Sequence, residues 1–296
     1  GIRREIFEGA AGAMTQGGKM ACGSVPGGPL GYFFDIFNSL SHLWKTHHVS
    51  AYDSPLVNRS WIESRLAEWG IDSPVFTTRV LGDFPEEGED TLIPLHYIEG
   101  AIDRWAIQLE EGFKPEGPVR VGCDVARFGG DEIVATKIHG GRMVHQDIRR
   151  YIDTPTTEGM ILSLARSDPR AETVAIDATG LGAGPADHVA QELLKDNIQV
   201  DSVEYGGKPK TLEGQRDFTN RKAELYFALA DGLKKEELSI MDDRTLLAQL
   251  AALRYDFTSK GHRKIREYEP PSADSPKSPD RADALNLAWW VPKMRK

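Results

Sequence analysis

A chain of 296 residues with 40% hydrophobic and 27% charged side chains has the make-up of an ordinary globular protein, and at roughly 100–200 residues per domain it has room for two. No run approaches the roughly 20 apolar residues of a bilayer-spanning helix, and the opening GIRREIFEGA has no basic stretch followed by an apolar one; the chain reads as cytosolic and, starting at Gly1, as a fragment. The net charge of -9 is uneven, with 9 Lys/Arg against 17 Asp/Glu in residues 1–116 and 27 against 28 in residues 117–296, so the acidity of the whole does not exclude nucleic-acid binding by the second part.

Residues 2–18 read as a helix and its turn, with Lys19 entering a strand. The run 83–90 packs five acids with Pro and Gly, the composition of a solvated loop. Ile98, Ala101, Ile102, Trp105 and Leu109 then recur at helical spacing until FKPEGP breaks the pattern. The boundaries follow: a first part over 1–84, a linker with a helix over 85–116, and a second domain over 117–296. That domain opens with strand-like runs at 119–126, 132–139 and 143–151, separated by the turns FGGD and GG, which predicts an antiparallel meander. A helix at 156–167, a buried strand at 173–178, a helix at 185–195, a strand at 199–205 and a long helix at 217–233 follow. After a helix at 244–253, LRYDFTS and RKIREYE flank Lys260-Gly261-His262 as a hairpin, and 279–291 forms the last helix, with Ser278 as its cap and Pro279 at its first position. Three antiparallel strands before any crossover helix indicate a mixed α/β sheet rather than a parallel Rossmann sheet.

The chemistry concentrates on acids. Asp124 closes an apolar strand, where a charge is costly unless it is paired or binds a cation. Asp177 repeats the pattern ahead of Gly180, Gly182 and Gly184, at the kind of strand end where ligands gather in α/β sheets. Each alone also reads as a turn cap. In SPDRADALNLAWW, Asp280 suits the positive end of a helix, and Asp283, on the same face three residues on, should look toward the sheet. Asp124, Asp177 and Asp283 are therefore the candidate catalytic and metal-binding acids, with Asp280 auxiliary. Three carboxylates about 5 Å apart repel by roughly 3 kcal/mol per pair at an effective dielectric near 20. Oxygen ligands without His or Cys favour Mg²⁺ or Mn²⁺, and two such ions hydrolyse phosphodiesters.

Two segments, 206–222 and 254–269, each carry five Lys/Arg among aromatics. A solvated surface is the default for both. Their use would be phosphate contacts, from Lys208, Lys210, Arg216 and Arg221 in the first and Lys260, Arg263 and Lys264 in the second. Other features read as structural. Cys22 and Cys123 are far apart and read as reduced, buried and inert. Adjacent His47 and His48 point in different directions as surface residues, Trp289 and Trp290 belong to the core, and Ser24 has no His or Asp partner.

Together, VGCDVARFGGDE, TVAIDATGLGAG, NRKAELYFAL and SPDRADALNLA, over residues 117–292, resemble the nuclease domain of tailed-phage terminase large subunits, the DNA-packaging motor. The resemblance implies an α/β, RNase H-like fold with a mixed sheet flanked by helices, in which Asp124, Asp177 and Asp283 take the roles of the acids that bind two ions. Asp131 matches a polar position of the first hairpin and is not assigned as a ligand. The implied activity is Mg²⁺- or Mn²⁺-dependent hydrolysis of double-stranded concatemeric DNA in the host cytoplasm. The implied partners are portal protein and the terminase small subunit.

Upstream, KMACGSVPGGPLGYFFDIF resembles the end of the same family's ATPase domain, with ACGSVP at 21–26 where the family has a Ser/Thr-Gly-Thr-Pro-like turn. AMTQGGKM is not a Walker A loop, since Ala13 replaces its first Gly and Met20 its Ser/Thr, and no Walker B strand precedes the segment; ATP hydrolysis is expected of the full-length protein only. Junction resolvases and transposases share the three acids but leave ACGSVPGGPLGYFF unexplained. An actin-like or sugar-kinase-like ATPase would use FGGD and TGLGAG as phosphate loops, but needs a duplicated sheet and gives Asp283 no role. A non-catalytic DNA- or portal-binding module would leave phosphodiester bonds intact.

Overall fold

A computed structural model describes residues 9, 17–26, 32–71, 73–85, 88, 90–125, 131–179, 183–270 and 276–290. The chain forms two compact units, Gly1–Asp90 and Thr91–Lys296. Most of the helix predicted over 2–18 lies outside the described residues, as do residues 128–130 of the FGGD turn, Gly180 and Gly182. Lys19 sits in irregular chain rather than a strand.

The first unit contains helices α1 (Tyr32–Phe37) and α2 (Arg59–Trp69), the latter capped by Asn58, whose side chain accepts from the Ser60 amide. Ile62, Phe76 and Val80 are its buried apolar centre. Phe84 meets Phe33, Phe34 and Phe37 at ring-centre distances of 5.8, 5.2 and 5.4 Å. Cys22 is exposed here, contrary to the burial expected of it, because ACGSVP runs as open chain. His48, half exposed, lies 3.1 Å from Asp83.

The second unit begins with helix α3 (Leu95–Glu110). Its placement in a linker is corrected: Ile98 and Ala101 are fully buried in one core with Tyr226, Leu229 and Leu285, so the helix is part of the unit. The sheet consists of β1 (Val119–Asp124), β2 (Ile133–His139), β3 (Arg142–Arg149), β4 (Ala171–Asp177) and β5 (Gln199–Val203), in the order β3-β2-β1-β4-β5. The first three strands pair antiparallel and β1, β4 and β5 pair parallel, the mixed sheet expected from the sequence. Side chains alternate across it. Val121, Cys123, Val174 and Ile176 point into a core with Ile161 and Ala165 of α4 (Thr154–Arg166) and Ala186, Val189 and Leu193 of α5 (Ala183–Leu194).

On the other face α9 (Asp280–Trp289) lies against the sheet, with α7 (Arg221–Lys234) and α8 (Arg244–Ala252) packed on it; short α6 (Leu212–Asp217) precedes α7. A single helix over 217–233 is corrected to two. Phe218 is extended, bridges to Arg263, and is followed by Asn220, whose side chain caps α7 by accepting from the Ala223 amide. The predicted hairpin forms as β6 (Tyr255–Phe257) and β7 (Arg263–Ile265). At the last helix Pro279, not Ser278, holds the cap position, and the Ser278 hydroxyl bonds to Asp280 instead.

How tightly α9 lies on the sheet is set at Gly122. A β-carbon there would collide with the backbone N of Ala288 and the carbonyl O of Ala284, so only glycine lets this helix touch β1. Trp289 packs the same way over Gly232 of α7, and Trp290 is 8% exposed, so both are core residues as expected. Gly122→Ala is expected to cost at least about 2–3 kcal/mol in urea unfolding. Gly159→Ala, at an exposed position within α4 with open space around it, should gain up to about 1 kcal/mol in the same assay.

Candidate active site

The register that pairs Cys123 with Ile176 sets Asp124 and Asp177 side by side at the carboxyl ends of two parallel strands, on the face that α9 covers. Asp280 and Asp283 lie in the first turn of α9 and are 4% and 6% exposed. The four acids named from the sequence are thereby brought into one region. Burial pushes the Asp124 carboxyl well above its ordinary range, and the charges of Asp283, Asp280 and Asp177 push it further. None of the described hydrogen bonds is donated to it.

The other three acids are each turned to protein donors. Asp177 Oδ1 accepts from the Thr179 amide at 2.8 Å and from its hydroxyl. Asp280 accepts from the Ser278 hydroxyl and, at 2.9 Å, from the Glu132 amide. Burial raises both carboxyls and these bonds oppose the rise. Asp283 Oδ1 accepts from the Tyr226 hydroxyl at 2.6 Å and Oδ2 from the Lys222 ammonium at 3.3 Å, while Tyr205 donates to its carbonyl at 3.3 Å. Burial and the Asp283 charge hold both phenols well above their ordinary values, so they remain donors. Lys222 lies 4.8 Å from the Tyr205 ring centre and 5.6 Å from that of Tyr226, and its charge favours ionised Asp124 and Asp177.

Among the described residues, no three His, Cys, Asp or Glu side chains converge tightly enough to hold an ion as they stand. Asp177, Asp280 and Asp283 are each bonded to protein donors instead. The donor set nonetheless fits a hard divalent cation in kind: carboxylate oxygens only, with the charge of the buried Asp124 crowded by three more acids and opposed by Lys222. Asp131 is exposed and acts on Asp280 only through its charge.

The basic residues divide. Lys208, Arg216, Lys260 and Lys264 are exposed. Lys210, also exposed, pairs with Asp201 at 2.7 Å. Arg263 lies over the rings of Phe218 and Phe227 at 5.4 and 5.1 Å. Arg221 is corrected: it is 2% exposed, bonded to Glu224 at 2.8 Å and stacked 4.0 Å over Trp290, so its guanidinium is a packing element and not a phosphate contact. The two basic segments are neighbours, because the Thr219 amide donates to the Arg263 carbonyl at 3.0 Å and Phe218 bridges to Arg263.

Lys222, Tyr205, Tyr226 and Thr179 escaped the sequence reading. Lys222 had left a signal: a cation in the first turn of a helix opposes the helix dipole and needs an anion to justify it. The tyrosines had none, being apolar-patterned residues whose hydroxyls find partners only in three dimensions.

No protein-family model matches the chain. A probable terminase large subunit of Enterobacteria phage P7 is 24% identical over 289 residues, 91% of this chain and 57% of that protein. The chain is similar to a phage terminase large subunit. It spans 57% of that relative's length. Among solved structures, the nuclease domain of the large terminase subunit gp2 of bacterial virus Sf6 superposes with a TM-score of 0.59 at 21% identity, over 68% of this chain and 99% of that domain. A point mutant of that domain with calcium gives 0.58 at 22%, over 68% and 100%, and one with manganese gives 0.58 at 21%, over 68% and 100%. The mixed sheet flanked by helices is thus the RNase H-like fold of that nuclease domain.

The Asp124 shift sets a sign for stability. A carboxyl raised on folding contributes stability at acid pH that is lost as pH rises from its unfolded value, about 3.9, through its higher folded value. Asp124→Asn should therefore raise Tm in EDTA at pH 8, and the gap should narrow toward pH 4, as read by calorimetry.

Proposed function

We propose that the second unit is the divalent-metal-dependent endonuclease of a terminase large-subunit protein, cutting double-stranded DNA during packaging, and that the first unit is the end of its ATPase domain. The observation that carries the nuclease reading is the meeting of Asp124, Asp177, Asp280 and Asp283 at two parallel strand ends and one helix start, with the Asp124 charge crowded by the others. Asp124, Asp177 and Asp283 would hold two Mg²⁺ or Mn²⁺ ions, with Asp280 assisting. Bound there, such ions supply activation of a water and stabilisation of the leaving oxygen of a phosphodiester.

The chain's own residues supply the rest. Tyr226 and Lys222 fix the two oxygens of Asp283, and Thr179 fixes Asp177, so the carboxylates are oriented before substrate arrives. Lys222 offsets part of the acid charge that would otherwise repel a DNA backbone. Lys208, Lys210, Arg216, Lys260, Arg263 and Lys264 would contact phosphates without reading sequence. ATP use, and partnership with portal protein and a small subunit in the host cytoplasm, belong in this reading to the whole terminase.

Supercoiled plasmid should be nicked and linearised by the chain with Mn²⁺ or Mg²⁺ and left intact in EDTA. Asp177→Asn and Asp283→Asn should each reduce the rate at least about 100-fold, on the scale of removing an electrostatic stabiliser from an active site. Metal-dependent cleavage that survives both substitutions would sink the site assignment, and intact plasmid under every ion would sink the nuclease reading. For the basic face, Lys208→Ala and Lys264→Ala should each lower DNA affinity across sequences and reduce the slope of log K against log salt by about 0.9, measured by fluorescence anisotropy.

A further inference from the structure

Arg281 stands between the two acids of α9, yet its guanidinium is taken up elsewhere. Nε and Nη2 donate to Glu132 Oε2 and Oε1 at 2.8 and 2.9 Å, and Nη1 donates to both oxygens of Asp243 at 2.8 and 2.7 Å. Glu132 is 3% exposed, also accepts from Arg150 at 2.8 Å, and donates its own amide to Asp280 Oδ2 at 2.9 Å. Asp243 caps α8, accepting from the Thr245 and Leu246 amides. From α8, buried Gln249 accepts the amides of Arg281 and Ala282, both at 3.0 Å, and donates to the Ser278 carbonyl at 3.2 Å. The first turn of α9 is therefore clamped on two sides, from the approach to β2 and from α8.

The charges of this cluster cancel, Arg150 and Arg281 against Glu132 and Asp243. It leaves the negative charge of the neighbouring acids nearly untouched, so its effect on them is geometric. Bidentate guanidinium–carboxylate bonds are among the most directional a protein makes. A buried ion pair adds little net stability compared with apolar packing of the same volume, whereas it fixes position closely.

We infer that Arg281, acting through Glu132 and Asp243, is a positioning residue that sets Asp280 and Asp283 against Asp124 and thereby sets the affinity of the site for divalent ions; this rests on the nuclease reading. Without the clamp, repulsion from Asp124 and Asp177 is free to lift the first turn of α9. Partners that orient metal-binding groups typically contribute about 10–100-fold in metal affinity.

The test is calorimetric titration of Mn²⁺ into the metal-free full chain, with plasmid cleavage resolved into kcat and KM beside it, for wild type, Arg281→Met, Arg281→Lys and Asp243→Asn. Arg281→Met should bind Mn²⁺ at least about tenfold more weakly, with KM for DNA within about twofold of wild type and Arg281→Lys recovering part of the loss. Asp243→Asn keeps the cap of α8 while removing one charge from Arg281, so it should weaken Mn²⁺ measurably and decides the matter if Arg281→Met does not fold. Folded variants with wild-type Mn²⁺ affinity would overturn the inference alone. A wild-type chain that takes up no Mn²⁺ would overturn the nuclease reading, and the inference with it.

Discussion

The last helix lies on the central strand so closely that no β-carbon fits between them at Gly122, and the acidic region depends on that approach. Asp124 and Asp283 are far apart in sequence, and nothing local brings them together. Backbone contact of Ala284 and Ala288 with Gly122 fixes the height of α9 above the sheet, and because Asp283 is one residue before Ala284, that height also fixes how near its carboxylate comes to the end of β1. Small residues on the contacting face are therefore as much a condition of the site as the acids. The apolar face of the same helix, with Ala282, Leu285 and Ala288 fully buried against α7 and α8, supplies the force that holds it down.

That force works against electrostatics. Asp124 is held among three other acids in a buried setting, an arrangement that costs free energy in the absence of a cation. The chain answers in three ways. Tyr226, Thr179, Ser278 and the Glu132 amide donate to Asp283, Asp177 and Asp280, spreading charge without neutralising it. Lys222 brings one positive charge and keeps it against two tyrosine rings, where it loses less by leaving water than it would against aliphatic side chains. Arg281 and its partners hold the helix end in place. At Asp124 the described protein groups only partly offset the crowding of negative charge, so its carboxyl is pushed toward the neutral form.

The strand-end acids were legible because they break an apolar pattern: VRVGCD and TVAID each place one carboxylate where burial forbids it without cause. The mixed sheet was legible from three short strands with no helix between them. What could not be read is whatever depends on a partner distant in sequence. Arg221 in a basic, aromatic-rich segment has the composition of a phosphate contact, and it is the distant Trp290 stacking across it, added to Glu224 three residues on, that makes it a core residue. The break at Phe218 is likewise invisible locally, since the helix yields there to a bridge with Arg263. The helix at 95–110 looked like part of a linker because an acidic loop precedes it, yet its apolar face was the better guide and packs into the second unit.

Arg221 also shows how the basic surface is built. Glu224, 4% exposed, accepts the amides of Lys210 and Thr211, the Thr211 hydroxyl and the Arg221 guanidinium. These bonds hold the Glu224 carboxyl below the ordinary range despite its burial, so it stays an anion and an anchor. The segment 208–211 is thus tied to the first turn of α7, the same turn that carries Lys222 into the acidic region. Lys208 and Lys210 project from that anchored segment. One helix start therefore serves both the acids and the basic surface, and a displacement of α7 would disturb the two together. Under the proposed nuclease reading, the residues that would contact a DNA backbone and those that orient the acids would share a single rigid frame.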